Sequence, residues 1–205
     1  MTRSSSFGGP LALALLMAIG AVGGAQAQRP NAITFEEGEE GWMLLFYGDS
    51  LADWTSSGDA EWRVEDDAIV ADSGGRGLLL TVDEYENFEM VVDFLADPGT
   101  NSGIFLRTVP NPSDMRKDGY ELNIAPLDHP FPTGSLVSRK KVEGVEEVDD
   151  WRTFHIEAID GHIKVKLDGE PILEYEDPEP IEKGYIGLQH NEGRIAFRNI
   201  KFRQR

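Results

Sequence analysis

Short runs in which apolar and polar residues alternate restrict most strongly how this chain can fold. Between residues 88 and 94 every second side chain is apolar, and the same holds between residues 163 and 167. A period of two places successive side chains on opposite faces of an extended strand, so each run can pack one face on a core. No stretch after residue 40 shows convincing helical periodicity. The chain is therefore predicted to be all-β.

Tight turns separate the predicted strands. Asp160-Gly161 and Asp168-Gly169 are residue pairs typical of β-hairpins, because glycine accepts the positive φ of such turns. They join residues 151–159, 162–168 and 171–175 into a meander. About a dozen short strands, with 22 glycines and 11 prolines in the chain, favour an antiparallel two-sheet sandwich of jelly-roll type.

The first 40 residues are expected to lie outside this sandwich. Arg3, an apolar run over residues 11–22 and the sequence Ala25-Gln26-Ala27 have the form of a cleavable export signal over residues 1–27. The apolar run is shorter than the roughly 20 residues of a membrane-spanning helix. Residues 28–40 are predicted to be a loose acidic arm, and residues 41–205 one domain. We therefore expect a secreted or periplasmic protein, free of the membrane after cleavage.

Charge and residue usage exclude several function classes. The chain has 37 acidic and 19 basic side chains, a formal net charge of −18, and no cysteine. Such a charge repels phosphates and anionic membranes, so neither nucleic acid nor a membrane is an expected partner. The lack of cysteine excludes disulfides and thiolate chemistry. The paired-carboxylate motif E-x-D-x-E of retaining β-glucanases is also absent, which makes an ordinary glycosidase the least favoured enzyme class.

Two predicted strands carry polar side chains that could share one face. Alternation places Phe105 and Arg107 together on the first strand, and Glu121 and Asn123 together on the second. If the strands pair, Arg107, Glu121 and Asn123 line one patch beside an aromatic ring. Such a patch suits a sugar site. An Arg107–Glu121 ion pair on a solvated face explains the same residues equally well.

Two further features bear on function. His190 ends a predicted strand among polar residues, and its residue type suits proton transfer near neutral pH, although a structural turn histidine fits the same sequence.

The basic cluster Arg139, Lys140 and Lys141 lies in a long loop, where binding residues often occur. A solvated loop is the alternative for that cluster.

An ordered set of short motifs resembles the bacterial family of exported 3-keto-disaccharide hydrolase domains, also described as 3-keto-glucoside-1,2-lyases and 3-keto-2-hydroxyglucal hydratases. The resemblance covers roughly residues 41 to 203. The motifs are GWMLLFYG at 41–48, WRVED at 62–66, NSGIFLR at 101–107, GYEL at 119–122, WRTF at 151–154, LDG at 167–169, GLQH at 187–190 and FRNI at 197–200.

The resemblance implies a concanavalin A-like sandwich and an enzyme whose substrate is a small saccharide already oxidised at C3, a 3-keto glycoside. The ketone acidifies the C2 proton, so a base can remove it and the enolate expels the C1 substituent; water then adds to the resulting 2-hydroxyglucal. In this chemistry Glu121 or His190 would transfer protons. Arg107 or a divalent metal ion would stabilise the enolate.

The resemblance also implies a set of substrate-binding residues, namely Asn101, Ser102, Phe105, Asn123 and Gln189. No spacing in the sequence selects metal ligands. A lectin-like carbohydrate-binding module without catalysis is the alternative function. A deep pocket with a buried, perturbed carboxylate favours the enzyme, whereas a shallow groove with exposed aromatic rings favours the binding module.

Overall fold

The computed structural model describes residue 1 and residues 29–143, 145–146 and 148–205. The signal peptide predicted over residues 1–27 thus lies, apart from Met1, outside the described residues. Across these described ranges, no helix is long and apolar enough to cross a membrane.

The described chain forms one short helix and thirteen strands. They are α1 (Phe35–Glu39), β1 (Met43–Leu44), β2 (Trp54–Ala60), β3 (Arg63–Glu65), β4 (Ala68–Ala71), β5 (Gly74–Tyr85), β6 (Phe88–Ala96), β7 (Asn101–Thr108), β8 (Tyr120–Ile124), β9 (Arg152–Ile159), β10 (His162–Leu167), β11 (Glu170–Glu176), β12 (Gly184–Glu192) and β13 (Ile195–Gln204).

The strands form two antiparallel sheets. Sheet A has the order β11-β10-β9-β6-β13-β4-β3, and β1 also pairs with β13. Sheet B has the order β2-β5-β12-β7-β8. The prediction of an all-β, antiparallel two-sheet sandwich is confirmed.

The alternating segments behave as their pattern predicts. In β6 the apolar residues at positions 88, 90, 92 and 94 are buried. The meander of β9, β10 and β11 is also present, and its turns hold Asp160 and Asp168 at φ of 50° and 52°. Both hairpin predictions are therefore correct.

One apolar core lies between the two sheets. Sheet B contributes a row of neighbouring side chains to it, one from each of four adjacent strands: Leu79, Leu188, Ile104 and Leu122. On sheet A the rings of Phe94 and Phe154 stack with their centroids 4.7 Å apart. Because this row faces the core, the residues on either side of it along each strand face outward from sheet B.

The acidic arm is attached to the sandwich, and the expectation of a loose arm is wrong for residues 31–40. The backbone N–H of Asn31 donates to the side chain of Asn199 over 2.6 Å, and the reciprocal hydrogen bond measures 2.8 Å. Thr34 caps α1 in a capping box with Glu37. Glu37 also pairs with Lys201 on β13, with 2.5 Å between the charged atoms. The acidic side chains thus bind the basic face of the last strand.

Candidate functional site

Two rows of residues cross the outer face of sheet B, one on each side of the core-facing row. Their order follows the register of the strands β2, β5, β12, β7 and β8. The first row is Ser57, Leu78, Gln189, Gly103 and Asn123. The second row is Thr55, Leu80, Gly187, Phe105 and Glu121.

Gly103 leaves the space in which the Glu121 carboxyl group lies. A Cβ atom at Gly103 would stand 3.4 Å from Glu121 Cγ and 3.5 Å from Glu121 Oε1. Glu121 and Gln189 lie on β8 and β12, with β7 between them. Since no side chain stands between them at Gly103, Gln189 reaches across and donates a hydrogen bond to the Glu121 carboxylate.

The Glu121 carboxyl group is nearly removed from solvent. Its residue is 9% exposed, and this burial raises the pKa of Glu121 to about 7, against the opposing effects of the Gln189 hydrogen bond and the positive charge of Arg76. Burial destabilises the charged form of a carboxyl group, which is why the shift is upward. At neutral pH both protonation states are populated, as a group that takes up and releases protons requires.

Gln189 has a second property that bears on binding. Its side chain donates to Glu121, but its Oε1 atom is buried and has no hydrogen-bond partner among the described residues. Buried polar atoms in folded proteins are nearly always paired. Gln189 is therefore an unsatisfied polar group directly beneath the outer face of sheet B.

A pocket of about 320 Å³ opens above these residues. Its floor is the outer face of sheet B and its side wall is the segment 109–119, which we call the wall loop. The described lining residues are Ser57, Gly58, Arg76, Gly77, Leu78, Phe105, Glu121 and Gln189 from the sheet and Pro110, Asn111, Pro112, Ser113 and Met115 from the wall loop. A pocket of this size suits a small ligand.

The wall loop is held in place by its own hydrogen bonds. The Asp118 carboxylate accepts hydrogen bonds from the backbone N–H groups of Ser113 and Asp114 over 2.7 and 2.8 Å. These bonds lower the pKa of Asp118. Ser57 Oγ donates to the carbonyl oxygen of Pro110 over 2.8 Å and thereby joins the wall loop to β2. The wall of the pocket is therefore formed before any ligand binds.

The two polar strands pair, which is the condition that the sugar-site interpretation required. β7 and β8 are antiparallel neighbours, and Phe105 is the direct partner of Glu121. The structure brings Phe105, Glu121 and Gln189 together in the pocket. It does not bring the other predicted site residues there.

Arg107 does not share the face of Phe105, so that expectation is wrong. Its φ is +51°, and this left-handed conformation breaks the alternation of β7. Its guanidinium group is fully buried and donates to five oxygens over 2.5 to 3.1 Å: the carbonyls of Glu86, Ala158, Asp160 and Ile181 and the side chain of Asn87. Arg107, on β7 of sheet B, therefore binds β9 of sheet A and three connecting segments. It forms no ion pair with Glu121.

His190 and Ser102 lie on the opposite side of sheet B from Gln189. They are direct partners on β12 and β7. Each lies two positions from a core-facing residue of its own strand (Leu188 and Ile104), so both face the core side of the sheet. The two ring nitrogens of His190 lie 3.1 Å from the carbonyl oxygen of Gly75 and 3.0 Å from that of Gly193. Ser102 Oγ donates to the backbone carbonyl of Gln189 over 2.6 Å. Both side chains bind backbone.

Asn101 and Asn123 are also outside the pocket. Asn123 is buried under the loop that follows β8, where its amide donates to the carbonyl oxygen of Phe131 and lies 3.3 Å from His129 Nδ1. Asn101 opens β7 opposite Glu192 and is not among the described lining residues. The polar groups that do line the pocket and that the sequence did not reveal include Arg76 and Ser57. Their strands show no motif, and only the register places them beside Gln189.

The residues of the pocket do not fit a divalent metal ion. Glu121 is the one carboxylate among its described lining residues, it is partly protonated at neutral pH, and Arg76 adds a positive charge. Hard divalent cations need several oxygen ligands at one point. Elsewhere in the described ranges, no group of three or more histidine or acidic side chains could hold a metal ion.

Comparison with known proteins gives one family. Residues 41–203 match the model of a family described as "3-keto-alpha-glucoside-1,2-lyase-like domain". No curated protein matches the chain at a significant level.

Solved structures resemble the chain over most of its length. One from Parabacteroides distasonis ATCC 8503, described as a "putative glycosyl hydrolase", has a TM-score of 0.75 at 22% identity and covers 86% of this chain and 100% of its own. A second structure from the same organism, also described as a "putative glycosyl hydrolase", has a TM-score of 0.64 at 28% identity and covers 80% of this chain and 99% of its own. The carbohydrate-binding module CBM66 from Bacillus subtilis has a TM-score of 0.61 at 17% identity, with 79% and 100% covered. These likenesses agree with the predicted sandwich fold.

Proposed function

The chain belongs to the family of 3-keto-alpha-glucoside-1,2-lyase-like domains, and from this premise we propose that it is an enzyme that cleaves the glycosidic bond of 3-keto glycosides. The observation that carries the proposal is the Glu121 carboxyl group, which is buried in a pocket and has a pKa of about 7. Ionisation of a buried carboxyl group costs stability, and carboxyl groups with such a raised pKa concentrate at catalytic sites.

The pocket offers both surfaces that a sugar ring needs. Leu78 and Phe105 form an apolar floor against which the C–H groups of the ring can pack. Ser57, Arg76 and Gln189 supply polar groups at the edge of this floor. A few polar groups around an apolar surface are typical of small-molecule sites.

Glu121 would carry the proton transfer. In its ionised form it removes the proton from C2, the C2–H electron pair forms the enolate, and the C1–O bond breaks as Glu121 passes this proton to the departing oxygen. In the second step Glu121, ionised again, takes a proton from water as the water oxygen binds C1, and it delivers that proton to C2. The net reaction is hydrolysis. A pKa of about 7 lets Glu121 act as base in one step and acid in the next.

Arg76 would stabilise the enolate. It is the cation among the described lining residues of the pocket, and its charge acts on Glu121. Its Nε donates to Asn191 over 2.9 Å, which orients the guanidinium group. A fixed positive charge beside a developing oxyanion is a strong source of transition-state stabilisation. The role that the sequence suggested for Arg107 thus passes to Arg76.

Incubation of the purified protein with a 3-keto glucoside tests the proposal. We expect release of 3-keto-glucose, and Glu121→Gln should reduce kcat by at least about 100-fold, since general acid–base groups contribute roughly 10²–10⁴-fold. The matched control is Glu170→Gln, which changes an exposed carboxylate on β11. Saturable binding of the sugar without turnover would refute the enzyme and favour a lectin-like binding module.

The place of action belongs to the proposal as well. The export signal predicted over residues 1–27 supports an enzyme that acts outside the cytoplasm, on a small saccharide that reaches it there. N-terminal sequencing of the protein from its native host tests this, and a chain that begins at residue 28 is the expected result.

A further inference from the structure

We propose that Arg139 is a positioning residue for the pocket: it clamps the wall loop, residues 109–119, against sheet B without touching the pocket itself. Its guanidinium group donates to three backbone carbonyls of that loop. Nη1 donates to the carbonyls of Met115 and Gly119, the latter over 3.0 Å, and Nη2 donates to that of Arg116 over 3.0 Å. One side chain thus binds the far end of the wall loop at three points.

The guanidinium group is itself fixed from two sides. Its Nε lies 3.4 Å from a carboxylate oxygen of Asp177, and the exposed fractions of these side chains are 4% and 9%. Its central carbon lies 4.2 Å from the ring centroid of Tyr120. Tyr120 accepts a hydrogen bond from the backbone N–H of Ile181 at its hydroxyl oxygen, which holds the ring. Arginine suits this position because its planar group presents five donors in a rigid arrangement.

The backbone that carries Arg139 is joined to the strand of Glu121. Val137 donates its N–H to the carbonyl oxygen of Glu121 over 3.0 Å, and the N–H of Arg139 donates to Leu136 over 3.0 Å. Leu136 also forms a bridge with Leu122 on β8. Arg139 therefore connects the wall of the pocket to the strand that bears its titrating carboxyl group.

The clamp reaches the pocket through Met115. The Met115 carbonyl accepts from Arg139, while its side chain packs on Leu78, Leu80 and Phe105 of the outer face of sheet B. Met115 also lines the pocket with Glu121. Loss of the clamp would free Met115 from the floor, widen the pocket and admit water to Glu121.

The same contacts explain the basic cluster of residues 139–141. Lys140 donates to the backbone carbonyl of Glu174, and Lys141 forms an exposed pair with Glu143. Arg139 points inward, whereas each lysine binds a single group on the surface near it. The cluster does not gather into an anion-binding patch, so the solvated-loop interpretation holds for the lysines and the clamp is the role of Arg139.

The test compares Arg139→Ala and Arg139→Lys with the control Arg152→Ala. Arg152 is also a partly buried arginine that pairs with a carboxylate (Asp168) and donates to a backbone carbonyl (Glu146), but both of these partners lie outside the wall loop. Amide hydrogen exchange is followed in residues 110–118 and in β6. In Arg139→Ala, exchange in residues 110–118 should accelerate at least about tenfold, because several hydrogen bonds to a charged donor are lost, with β6 unchanged.

Two functional readouts accompany hydrogen exchange. The titration midpoint of the Glu121 carboxyl group, followed by NMR with carboxyl-labelled glutamate, should fall in Arg139→Ala because water reaches the group. KM for the 3-keto glucoside should rise at least about tenfold with a smaller fall in kcat, because the loosened wall weakens binding directly and affects Glu121 only through its lowered pKa. For each readout, Arg139→Lys should give a value between those of Arg139→Ala and the unmutated protein, since one ammonium group replaces the planar guanidinium group and its five donors.

The outcomes separate this inference from the proposed function. The KM readout rests on the proposed function, whereas exchange and titration need no turnover. Faster exchange confined to residues 110–118 with a lowered midpoint supports the clamp even in a protein without activity. Unchanged exchange in residues 110–118, or equal acceleration in β6, overturns it. If Arg139→Ala does not fold, Arg139→Lys decides by the same two readouts.

Discussion

The Glu121→Gln substitution should stabilise the protein, and the gain should depend on pH. Glutamine has nearly the size of glutamate and can hydrogen-bond to Gln189, but it carries no charge. In the folded protein the pKa of Glu121 is about 7, whereas the ordinary value is 4.5. Between these pH values the folded state binds a proton that the unfolded state has released, so the stability of the unmutated protein falls as pH rises from about 4.5 to about 7 and is then constant.

The size of the effect follows from this interval. At about 1.36 kcal/mol for each tenfold change in proton affinity, the buried carboxylate destabilises the fold by about 3 kcal/mol above pH 7. Glu121→Gln removes this penalty. Its gain in the free energy of unfolding should be near zero at pH 4.5 and about 3 kcal/mol at pH 8.5, a rise in Tm of roughly 6 to 12 °C for a domain of this size.

Urea unfolding of both proteins at pH 4.5, 6, 7 and 8.5 measures this difference. The m-values should agree, so that the change reflects stability and not a different unfolded state. A gain that is the same at pH 4.5 and 8.5, or a loss at pH 8.5, would refute the reasoning, because Glu121 would then have an ordinary proton affinity in the folded protein.

Three further substitutions separate structural from functional residues. Arg107→Ala should lower the free energy of unfolding by at least about 3 kcal/mol, since it leaves several buried carbonyls unpaired, and urea unfolding would show this. Gly103→Ala should lower kcat at least about tenfold, because its Cβ enters the space between Glu121 and Gln189; an active variant in the sugar assay would contradict the site. His190→Gln should keep kcat/KM within about threefold while it lowers Tm, and a loss of turnover without a loss of stability would return His190 to the mechanism.

The fold could be predicted because the residue pattern within each strand and turn is enough to indicate its conformation. The alternation in β6 and the turns at Asp160 and Asp168 are properties of a few adjacent residues, and the structure contains them as predicted. The acidic arm was interpreted wrongly because its order depends on partners such as Asn199, which lies 168 positions away along the chain. Local composition holds no information about such partners.

The site could be predicted only in part for related reasons. Alternation within each strand, together with the condition that the two strands pair, puts Glu121 beside Phe105, and the structure has them as direct partners. Arg107 was misplaced because a single left-handed residue ends that regularity. His190 could have been set apart from Gln189, since adjacent strand residues face opposite ways. Arg76 lines the pocket because the register of β5 against β12 brings it close to Gln189, and this register cannot be read from the sequence.

The positions of β12 and β13 have a consequence for the order in which the protein can be built. These last two strands lie inside the two sheets: β12 separates β5 from β7, and β13 separates β6 from β4. A growing chain that has not yet reached residue 184 therefore lacks the strand that joins the two parts of each sheet, and β5, β7, β6 and β4 keep unpaired edges. Such edges must be kept from other chains until synthesis ends. Both sheets of this domain can therefore be completed only late, when nearly the whole chain is present.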